Sequence, residues 1–479
     1  MAELLSPDLC IIGAGPGGLA LARMARARGA SVVLIEKGRL GGSALYAGAV
    51  PAHALTAAAE RAHAMRTAGV FGIAAEDPKM HFGRLNDHID QVVAGIAPAE
   101  SVDQLKAIGV DVREADGRFA DRRTVLAGDT QITARRFVIA TGSRPAVPMI
   151  EGLGAVPFFT TDTVFDATRK LTHLLVIGAG ATGLEIGQAY RRLGCMVTVV
   201  DHQTALADTD PELREIALRR LREEGVDLRE NTEVAQVQAR SLGIGVTVRS
   251  ANGEDQLDVS HILVATGRIA NIDDLDLDKA HIRRQRANPA ALALSRSLLT
   301  SNRRVYAIGG AAGAARAVHA TAHQARYVLA HALLGLAAGN PTPELAPRVV
   351  FTDPEIAEIG LTEPMARTRL RNSYRVLRAG FAENERARTR RTAYGLVKLI
   401  TDKSGTVLGA GVVGPQAGEL IGLFSLAVAN KLNVRQLGAA ILPYPSLGAV
   451  ITRLSEEFSR GQPVSPWLER IMAFNRLFP

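Results

Sequence analysis

The chain has 479 residues, of which 47% are hydrophobic and 46 are glycines. This composition indicates a folded protein rich in tight turns and excludes a disordered one, and the length predicts two to four domains. The net charge of +8 comes from scattered arginines. The densest group, residues 386–391, has no aromatic neighbours for base stacking, so we interpret it as a solvated face and predict no nucleic-acid binding.

The same composition bears on the location of the protein. No apolar run reaches the ~18 to 20 residues that a membrane span needs, and residues 1–8 lack a basic region followed by an apolar core, so we expect no secretory signal. The two cysteines, Cys10 and Cys195, lie in apolar strand-like runs and are too few for a disulfide framework. These features predict a cytoplasmic protein.

A glycine-rich turn near the N-terminus is typical of dinucleotide binding. A short apolar strand runs into Gly13, Gly15 and Gly18, and residues 19–28 then have helical periodicity. The first glycine permits a tight turn, the second lets backbone approach a pyrophosphate, and the third lets the helix pack on the strand. The helix N-terminus supplies amide groups to the phosphate. Glu36 ends the next strand, where a ribose hydroxyl pair would lie.

The arrangement is repeated later in the chain. Gly178, Gly180 and Gly183 follow a second apolar strand, and Asp201 ends the strand after the helix. The acid follows the first glycine by the same interval in both copies, because 36 − 13 = 23 and 201 − 178 = 23. Such a duplication predicts two dinucleotides, a donor and an acceptor of hydride.

The second acid bears on the choice of nucleotide. Asp201 would accept hydrogen bonds from a free ribose hydroxyl pair and repel a 2′-phosphate, which favours NADH over NADPH. Arg191 and Arg192 on the preceding helix, and His202 after the acid, leave NADPH open as an alternative.

Residues 41–55, which read Gly-Gly-Ser-Ala-Leu-Tyr-Ala-Gly-Ala-Val-Pro-Ala-His-Ala-Leu, follow the first copy closely. With the two fingerprints, they make the chain resemble the pyridine nucleotide-disulfide oxidoreductases, the family of dihydrolipoamide dehydrogenase, glutathione reductase and mercuric reductase. The resemblance covers residues 8 to about 458. Residues 137–142 and 262–268, which both contain Ala-Thr-Gly, resemble the strands that close the family's two nucleotide-binding sheets.

The resemblance implies an α/β fold with two Rossmann-like dinucleotide-binding domains and a C-terminal α+β dimerisation domain. It places an FAD-binding domain at residues 1–146 and 271–345, an NAD(P)H-binding domain at 147–270 and the dimerisation domain at 346–460. In the last of these the sequence has strand patterns at 396–400 and 407–413 and a helical one at 418–430. A homodimer is therefore expected.

The resemblance also implies the cofactor contacts. The residues expected at FAD are Gly13, Gly15, Gly18, Glu36, Gly42, Ser43, Gly142, Arg144, Gly310 and Ala311. Those expected at NAD(P)H are Gly178, Gly180, Gly183, Glu185, Asp201 and Gly267. Gly310 replaces an aspartate that the family uses to hold the FAD ribityl chain. Loss of that charge-assisted hydrogen bond would cost about 1.5 to 3 kcal/mol of FAD binding, which weakens the site without abolishing it.

Departures from the family pattern fall around the flavin. Ala44 and Ala49 stand at the two family cysteines, so no thiolate can form there and no disulfide exchange can begin. Tyr444 and Ala449 stand at the general-base histidine and its supporting glutamate, and a tyrosine with a pKa of about 10 is a poor base at neutral pH. The dithiol and its base are absent together, which indicates a changed reaction.

His53 stands at a family lysine that pairs with a glutamate beside the flavin, and that glutamate matches Glu185. A His53–Glu185 pair would keep a titratable group near the flavin, whereas packing or surface exposure is the alternative role of this histidine. Together with Tyr46 and Tyr444, His53 would then shape a pocket for an electron acceptor.

These features predict an FAD-dependent NAD(P)H oxidoreductase that passes electrons from reduced flavin directly to a quinone, dioxygen, a metal ion or another small oxidant. A non-catalytic dinucleotide-binding protein that acts through a partner or membrane is the second possibility. Dihydrolipoamide dehydrogenase-type activity is the third. We expect no bound metal as part of the site.

The last residues, 461–479, lie outside the resemblance. Six apolar side chains are expected on one side of a short helix: Trp467, Leu468, Ile471, Met472, Leu477 and Phe478. Such a stripe could touch a membrane surface or a partner, but packing on its own chain is the interpretation we favour.

Overall fold

The computed structural model describes residues 3–313, 317–336, 343–460 and 466–477. The chain divides into two compact units. The first comprises Met1–Ala207 and Leu221–Pro343, and the second comprises Asp208–Arg220 and Glu344–Pro479. Both predicted nucleotide-binding domains thus fall largely in the first unit, and the boundary between them stays a prediction.

The first unit contains nineteen of the labelled strands. They are β1 (Glu3–Leu5), β2 (Leu9–Ile12), β3 (Val32–Glu36), β4 (Asp111–Glu114), β5 (Gly117–Phe119), β6 (Val125–Ala127), β7 (Thr130–Ile132), β8 (Arg136–Ile139), β9 (Ser143–Pro145), β10 (Phe159–Thr160), β11 (His173–Ile177), β12 (Met196–Val200), β13 (Asp227–Arg229), β14 (Glu233–Arg240), β15 (Gly243–Ser250), β16 (Gly253–Val259), β17 (His261–Val264), β18 (Arg268–Ala270) and β19 (Val305–Ala307).

Eight helices are labelled in the same stretch of the chain. They are α1 (Pro16–Arg26), α2 (Gly42–Tyr46), α3 (Ala49–Thr67), α4 (Phe82–Ile96), α5 (Val102–Ala107), α6 (Ala181–Arg192), α7 (Pro211–Glu223) and α8 (Val318–Ala332). Most of α7 belongs to the second unit, because the first unit resumes only at Leu221.

Two five-stranded parallel sheets organise the first unit. Their strand orders are β19-β8-β2-β3-β4 and β10-β17-β11-β12-β13. Strand β2 shows why the sheet is buried on both faces: Leu9 and Ile11 join one hydrophobic cluster, and Cys10 and Ile12 join another. The predicted pair of dinucleotide-binding folds is confirmed.

One expectation about these sheets was wrong. Strands β8 and β17, which lead into the two Ala-Thr-Gly turns, do not close the sheets. Each has a further parallel neighbour on its outer side, β19 and β10 respectively. The outer strands are only three and two residues long, so their sequences carry little periodicity.

Antiparallel strands complete the first unit. β14, β15 and β16 form a meander, β9 pairs with β18, and β5, β6 and β7 form a second meander whose last strand pairs with β1.

The second unit is built on one antiparallel sheet of order β20-β21-β24-β23-β22. Its strands are β20 (Arg348–Val350), β21 (Glu355–Gly360), β22 (Tyr374–Gly380), β23 (Leu396–Asp402) and β24 (Val407–Gly414). Its further helices are α9 (Glu363–Leu370), α10 (Glu385–Thr389), α11 (Ala417–Ala429), α12 (Val434–Gly438), α13 (Val450–Arg460) and α14 (Pro466–Asn475). The predicted α+β character is confirmed.

The C-terminal stripe does not behave as expected. Trp467, Met472 and Leu477 are exposed in the structure, so these three side chains do not pack on the chain. The side chain of Leu468 and all of Phe478 lie outside the described residues. Within the part of the chain that the structure describes, no helix is both long and apolar enough to cross a membrane.

Candidate functional site

The first glycine-rich turn joins β2 to α1. Gly13 has φ +107°, and a Cβ there would lie 2.4 Å from the carbonyl oxygen of Ala140. A Cβ on Gly18 would lie 2.0 Å from the oxygen of Gly13. Gly15, which caps α1, faces open space instead, with no heavy atom within 4 Å of its Cβ position. Two glycines are therefore required by packing, and the middle one leaves room for a ligand at the helix N-terminus.

The second turn joins β11 to α6 and repeats this geometry. Gly178 has φ +112°, and a Cβ there would lie 2.5 Å from the oxygen of Ala265. A Cβ on Gly183 would lie 2.0 Å from the oxygen of Gly178, whereas Gly180 again meets nothing within 4 Å. The duplication predicted from spacing is thus a duplication of structure.

The two acids occupy equivalent positions at the turns. Each carboxylate accepts one hydrogen bond from the amide after the first glycine and one from the amide two residues beyond the acid. For Glu36 the donors are Ala14 at 2.6 Å and Gly38 at 2.9 Å. For Asp201 they are Ala179 at 2.7 Å and Gln203 at 2.8 Å. These bonds hold an anionic acceptor beside each open glycine, where a ribose could donate to it.

A cavity of about 490 Å³ adjoins the first turn. Its walls include Gly13, Glu36, Thr141, Arg144 and Asn271. An open helix N-terminus, a carboxylate held for a ribose and a cavity of ligand size together fit a dinucleotide. The residues present therefore fit FAD at the first turn.

The sequence did not predict a pair of hydrogen bonds between Thr141 and Asn271 in this cavity. Thr141 Oγ1 donates to the backbone oxygen of Asn271 at 2.6 Å, and Asn271 Nδ2 donates to the oxygen of Thr141 at 3.1 Å. The threonine was visible in the repeated Ala-Thr-Gly motif, but the asparagine belongs to no pattern.

Arg144 and Gly310 lie near the same turn. Arg144 Nη2 is 2.8 Å from Asp273 Oδ2, so its charge is already paired. A Cβ on Gly310 would lie 2.8 Å from Ser143 Oγ and 2.9 Å from the carbonyl carbon of Gly142. An aspartate at position 310 would therefore require residues 142–143 to move. Ala311 is buried beside it.

Residues 41–55 form α2 and the start of α3. Gly41 has φ +107°, and a Cβ on Gly42 would lie 3.0 Å from the Cα of Gly15, which brings this segment to the first turn. Ser43 and Ala44 lie in α2, and Ala49 begins α3.

The two thiols of the chain lie elsewhere. Cys10 and Cys195 are free and buried, the first within β2 and the second just before β12. Burial raises the pKa of Cys195 to about 11 and that of Cys10 further. Both thiols are therefore protonated at neutral pH and are poor nucleophiles. β12 is an inner strand of its sheet.

The helices that bear His53 and Glu185 are neighbours. α3 packs against α6. Glu185 is half-buried, and His53 lies at an exposed position one turn into α3. Desolvation of the imidazole lowers the pKa of His53. The pair itself stays a prediction.

The predicted tyrosines lie in different units. The ring of Tyr46 has the guanidinium carbon of Arg39 3.9 Å from its centroid, a cation–π contact at the end of α2. Tyr444 belongs to the second unit, where it is 81% exposed and precedes the short turn that contains Ala449. The role of Tyr444 stays a prediction.

The structure corrects the suggestion that Arg191 and Arg192 could receive a 2′-phosphate. Both lie in the last turn of α6, at the opposite end of the helix from Gly180. Arg192 forms a buried salt bridge of 2.6 Å with Glu224, and Arg191 Nε donates to the oxygen of Glu224 at 3.0 Å. His202 adjoins the acid, with Nδ1 3.3 Å from Asp201 Oδ1.

Two dinucleotide turns in parallel sheets, followed by a separate antiparallel unit, define a class of two-nucleotide oxidoreductases. Residues 7–326 match the family described as pyridine nucleotide-disulphide oxidoreductase, and residues 346–454 match its dimerisation domain. The chain belongs to this family of FAD-dependent pyridine nucleotide oxidoreductases.

Named relatives are similar over nearly their whole length. A mercuric reductase of Streptomyces lividans is 31% identical over 94% of this chain and 96% of its own. A dihydrolipoyl dehydrogenase of Thermus scotoductus is 33% identical over the same shares. The crystal structure of LpdA from Mycobacterium tuberculosis has a TM-score of 0.86 and 26% identity, covering 94% of this chain and 99% of its own.

Proposed function

We propose that the protein is an FAD-dependent NADH oxidoreductase whose electrons leave the flavin directly for a non-disulfide acceptor. The observation that carries this proposal is the pair Ala44 and Ala49 in a segment that otherwise keeps its glycine contacts with the first turn. The chain has two cysteines, and both are buried elsewhere, one in β2 and one just before β12. FAD, when bound, accepts a hydride from NADH and can deliver electrons to a quinone, dioxygen, a metal ion or another small oxidant.

The chain supplies binding and orientation for this chemistry. In our proposal Gly15 and the N-terminus of α1 bind the pyrophosphate of FAD, with Glu36 at its ribose. Gly42 and Ser43 lie beside the same cofactor, and Gly142, Arg144, Gly310 and Ala311 complete its contacts. At the second turn Gly180 would bind the pyrophosphate of NADH, with Gly267 in the equivalent Ala-Thr-Gly turn.

The preference for NADH rests on Asp201. Its carboxylate is fixed by two backbone amides and would repel a 2′-phosphate. Arg191 and Arg192 are engaged at the far end of α6, and the residue that follows Asp201 is a histidine, His202. This arrangement favours NADH.

His53, Glu185 and Tyr444 are proposed to act near the flavin. The neighbouring positions of α3 and α6 support the first two. A lowered pKa keeps His53 neutral at pH 7, so its imidazole could accept a proton from solvent and pass it to the acceptor as the acceptor is reduced. The match of residues 346–454 to a dimerisation domain supports a homodimer.

A second candidate is a dinucleotide-binding protein without catalysis that acts through a partner. Two observations favour it: the tight packing around Gly310, which leaves no room for the ribityl-binding aspartate, and the exposed apolar side chains of α14. The intact second turn with Glu185 and Asp201 argues for catalysis instead.

Reduction by NADH under anaerobic conditions separates the candidates. The purified protein should be yellow, and NADH should bleach it without a long-wavelength thiolate absorption band; reoxidation by a series of acceptors then identifies the acceptor class. A flavin that NADH does not bleach would favour the binding protein. Reduction of lipoamide at enzymatic rates would overturn the proposed exit of electrons.

A further inference from the structure

A second cavity lies at the edge of the first parallel sheet opposite the glycine-rich turn. Strands β8 and β19 begin there side by side, with Phe137 opposite Val305. The cavity measures about 630 Å³, within the range of small-ligand sites. Its polar wall consists of Arg136, Ser297, Arg303, Tyr306 and His331. None of these residues has a part in the nucleotide chemistry proposed above.

The charge at this edge is concentrated and positive. The residues just before the two strands and at the start of β8 include four arginines, at positions 135, 136, 303 and 304. Within the described ranges, none of the four forms a salt bridge with a carboxylate. Asp8 feels the charge of Arg135, but its carboxylate is occupied by the backbone and hydroxyl of Ser31. Of the four, Arg136 and Arg303 line the cavity, so an anion there would find two guanidinium groups without a carboxylate partner among the described residues.

Arg136 has an unused donor. Its Nε is buried and has no hydrogen-bond partner among the residues that the structure describes. Its Nη1 donates to the oxygen of Arg135 at 3.2 Å. Because Nε is enclosed, a ligand in the cavity would be bound by the terminal nitrogens of Arg136, whose guanidinium also interacts with Tyr306.

Tyr306 and His331 together add one donor to the wall. Tyr306 Oη lies 2.7 Å from His331 Nδ1, and the ring of Tyr327 stacks on the imidazole. Burial raises the pKa of Tyr306, although Arg136 opposes this effect, so the phenol is protonated at neutral pH. When Tyr306 donates to Nδ1, the imidazole proton resides on Nε2, which can donate to a ligand.

We propose that this cavity binds a small oxyanion, the phosphate or carboxylate group of a metabolite, through Arg136, Arg303 and His331. Guanidinium groups bind both kinds of oxyanion through paired hydrogen bonds, so the two sources share one chemistry. The site is separate from both nucleotide turns, and its ligand does not take part in hydride transfer.

The test uses the FAD-loaded protein with saturating NAD⁺, so that both nucleotide sites are filled. Inorganic phosphate and citrate are titrated separately by calorimetry at constant ionic strength. We expect saturable binding of at least one probe, weakened at least tenfold in Arg136→Gln and in Arg303→Gln. Phosphate binding would assign a phosphorylated ligand, and citrate binding would assign a polycarboxylate.

Arg286→Gln is the matched control, because it removes the same charge from an exposed arginine that does not line the cavity. It should bind the probes as the unmodified protein does. Arg303 is also exposed, so its variant should fold even if Arg136→Gln does not. The proposal is overturned if neither probe binds saturably, or if Arg303→Gln binds as tightly as Arg286→Gln.

Discussion

Gly180 and Gly183 lie three residues apart, yet a methyl group at each would meet different surroundings. At Gly183 it would collide with the oxygen of Gly178 at 2.0 Å, and at Gly180 it would enter open space. The same sequence motif thus combines one glycine needed for packing with one that leaves open space, where we propose that the pyrophosphate of NADH binds.

This difference predicts opposite defects in two variants. Gly183→Ala should lower the free energy of unfolding by about 1–3 kcal/mol through overpacking. Gly180→Ala should unfold as the unmodified protein does but bind NADH more weakly, because its methyl group enters the space near the pyrophosphate. Thermal unfolding and an NADH titration measure the two effects. Equal stability and equal NADH affinity in both variants would contradict the proposed roles.

The acid of the second turn should control the choice of nucleotide. In Asp201→Asn the side chain keeps an oxygen acceptor but loses the charge that opposes a 2′-phosphate. We expect the ratio of kcat/KM for NADH to that for NADPH to fall about tenfold, equivalent to ~1.4 kcal/mol. The exposed Asp208→Asn serves as the control for charge. An unchanged ratio in Asp201→Asn would show that the acid does not select the nucleotide.

His53 should give flavin reduction an acidic inflection. Because desolvation lowers its pKa from 6.5, the inflection in the rate of reduction by NADH should fall below pH 6.5. His53→Ala should remove it, and His88→Ala, which changes an exposed histidine of α4, should keep it. Retention of the inflection in His53→Ala would return this histidine to a structural role.

Individual residues show how far the sequence alone could reach. The glycines and acids were predictable because the chemistry of a pyrophosphate and a ribose requires those residue types at fixed spacing. The hydrogen bonds of Arg191 and Arg192 with Glu224 were not predictable. Glu224 lies 32 residues after Arg192 in the sequence, and the two come close only after folding. The pairing of Arg144 with Asp273 escaped prediction for the same reason.

At the scale of elements, α7 shows that the two compact units do not follow sequence order. Its first ten residues group with the second unit although they follow the second dinucleotide turn. A buried lysine of β23 holds this segment. Lys398 Nζ lies 2.9 Å from Asp210, 2.9 Å from Glu212 and 2.7 Å from Glu363. The sequence contains no periodic pattern that predicts such a cluster.

Removal of this lysine should destabilise the protein strongly. Lys398→Met leaves three carboxylates together without their buried cation, and we expect a loss of about 3–5 kcal/mol in the free energy of unfolding. Lys403→Met, which changes an exposed lysine in the following turn, should cost little. Chemical denaturation measures both variants, and equal stability would contradict a structural role for the cluster.

The cluster also predicts an acid dependence. The hydrogen bond from Lys398 lowers the pKa of Glu363, so this carboxylate stabilises the fold above its ordinary pKa of 4.5. That contribution is lost as the pH falls from 4.5 through the lower folded pKa. The stability of Lys398→Met should therefore depend less on pH in this range.

At the scale of the whole molecule, the fold and the family were predictable because one motif occurs twice in the sequence. Each copy is a strand, a glycine-rich turn, a helix and a second strand that ends in an acid. The reaction is less determined by the fold, since the same scaffold accommodates different acceptors. We propose that a local feature sets the acceptor of this chain: alanine at positions 44 and 49, in a segment that approaches the first turn.

A reductive titration tests the central claim most directly. FAD accepts two electrons, and a redox-active disulfide would accept two more. Under anaerobic conditions we predict full reduction of the protein with about two electrons per FAD from dithionite. The variant Ala44→Cys/Ala49→Cys, if it forms its disulfide, provides the comparison that takes up about four. Uptake of four electrons per FAD by the unmodified protein would contradict a flavin that reduces its acceptor without a disulfide.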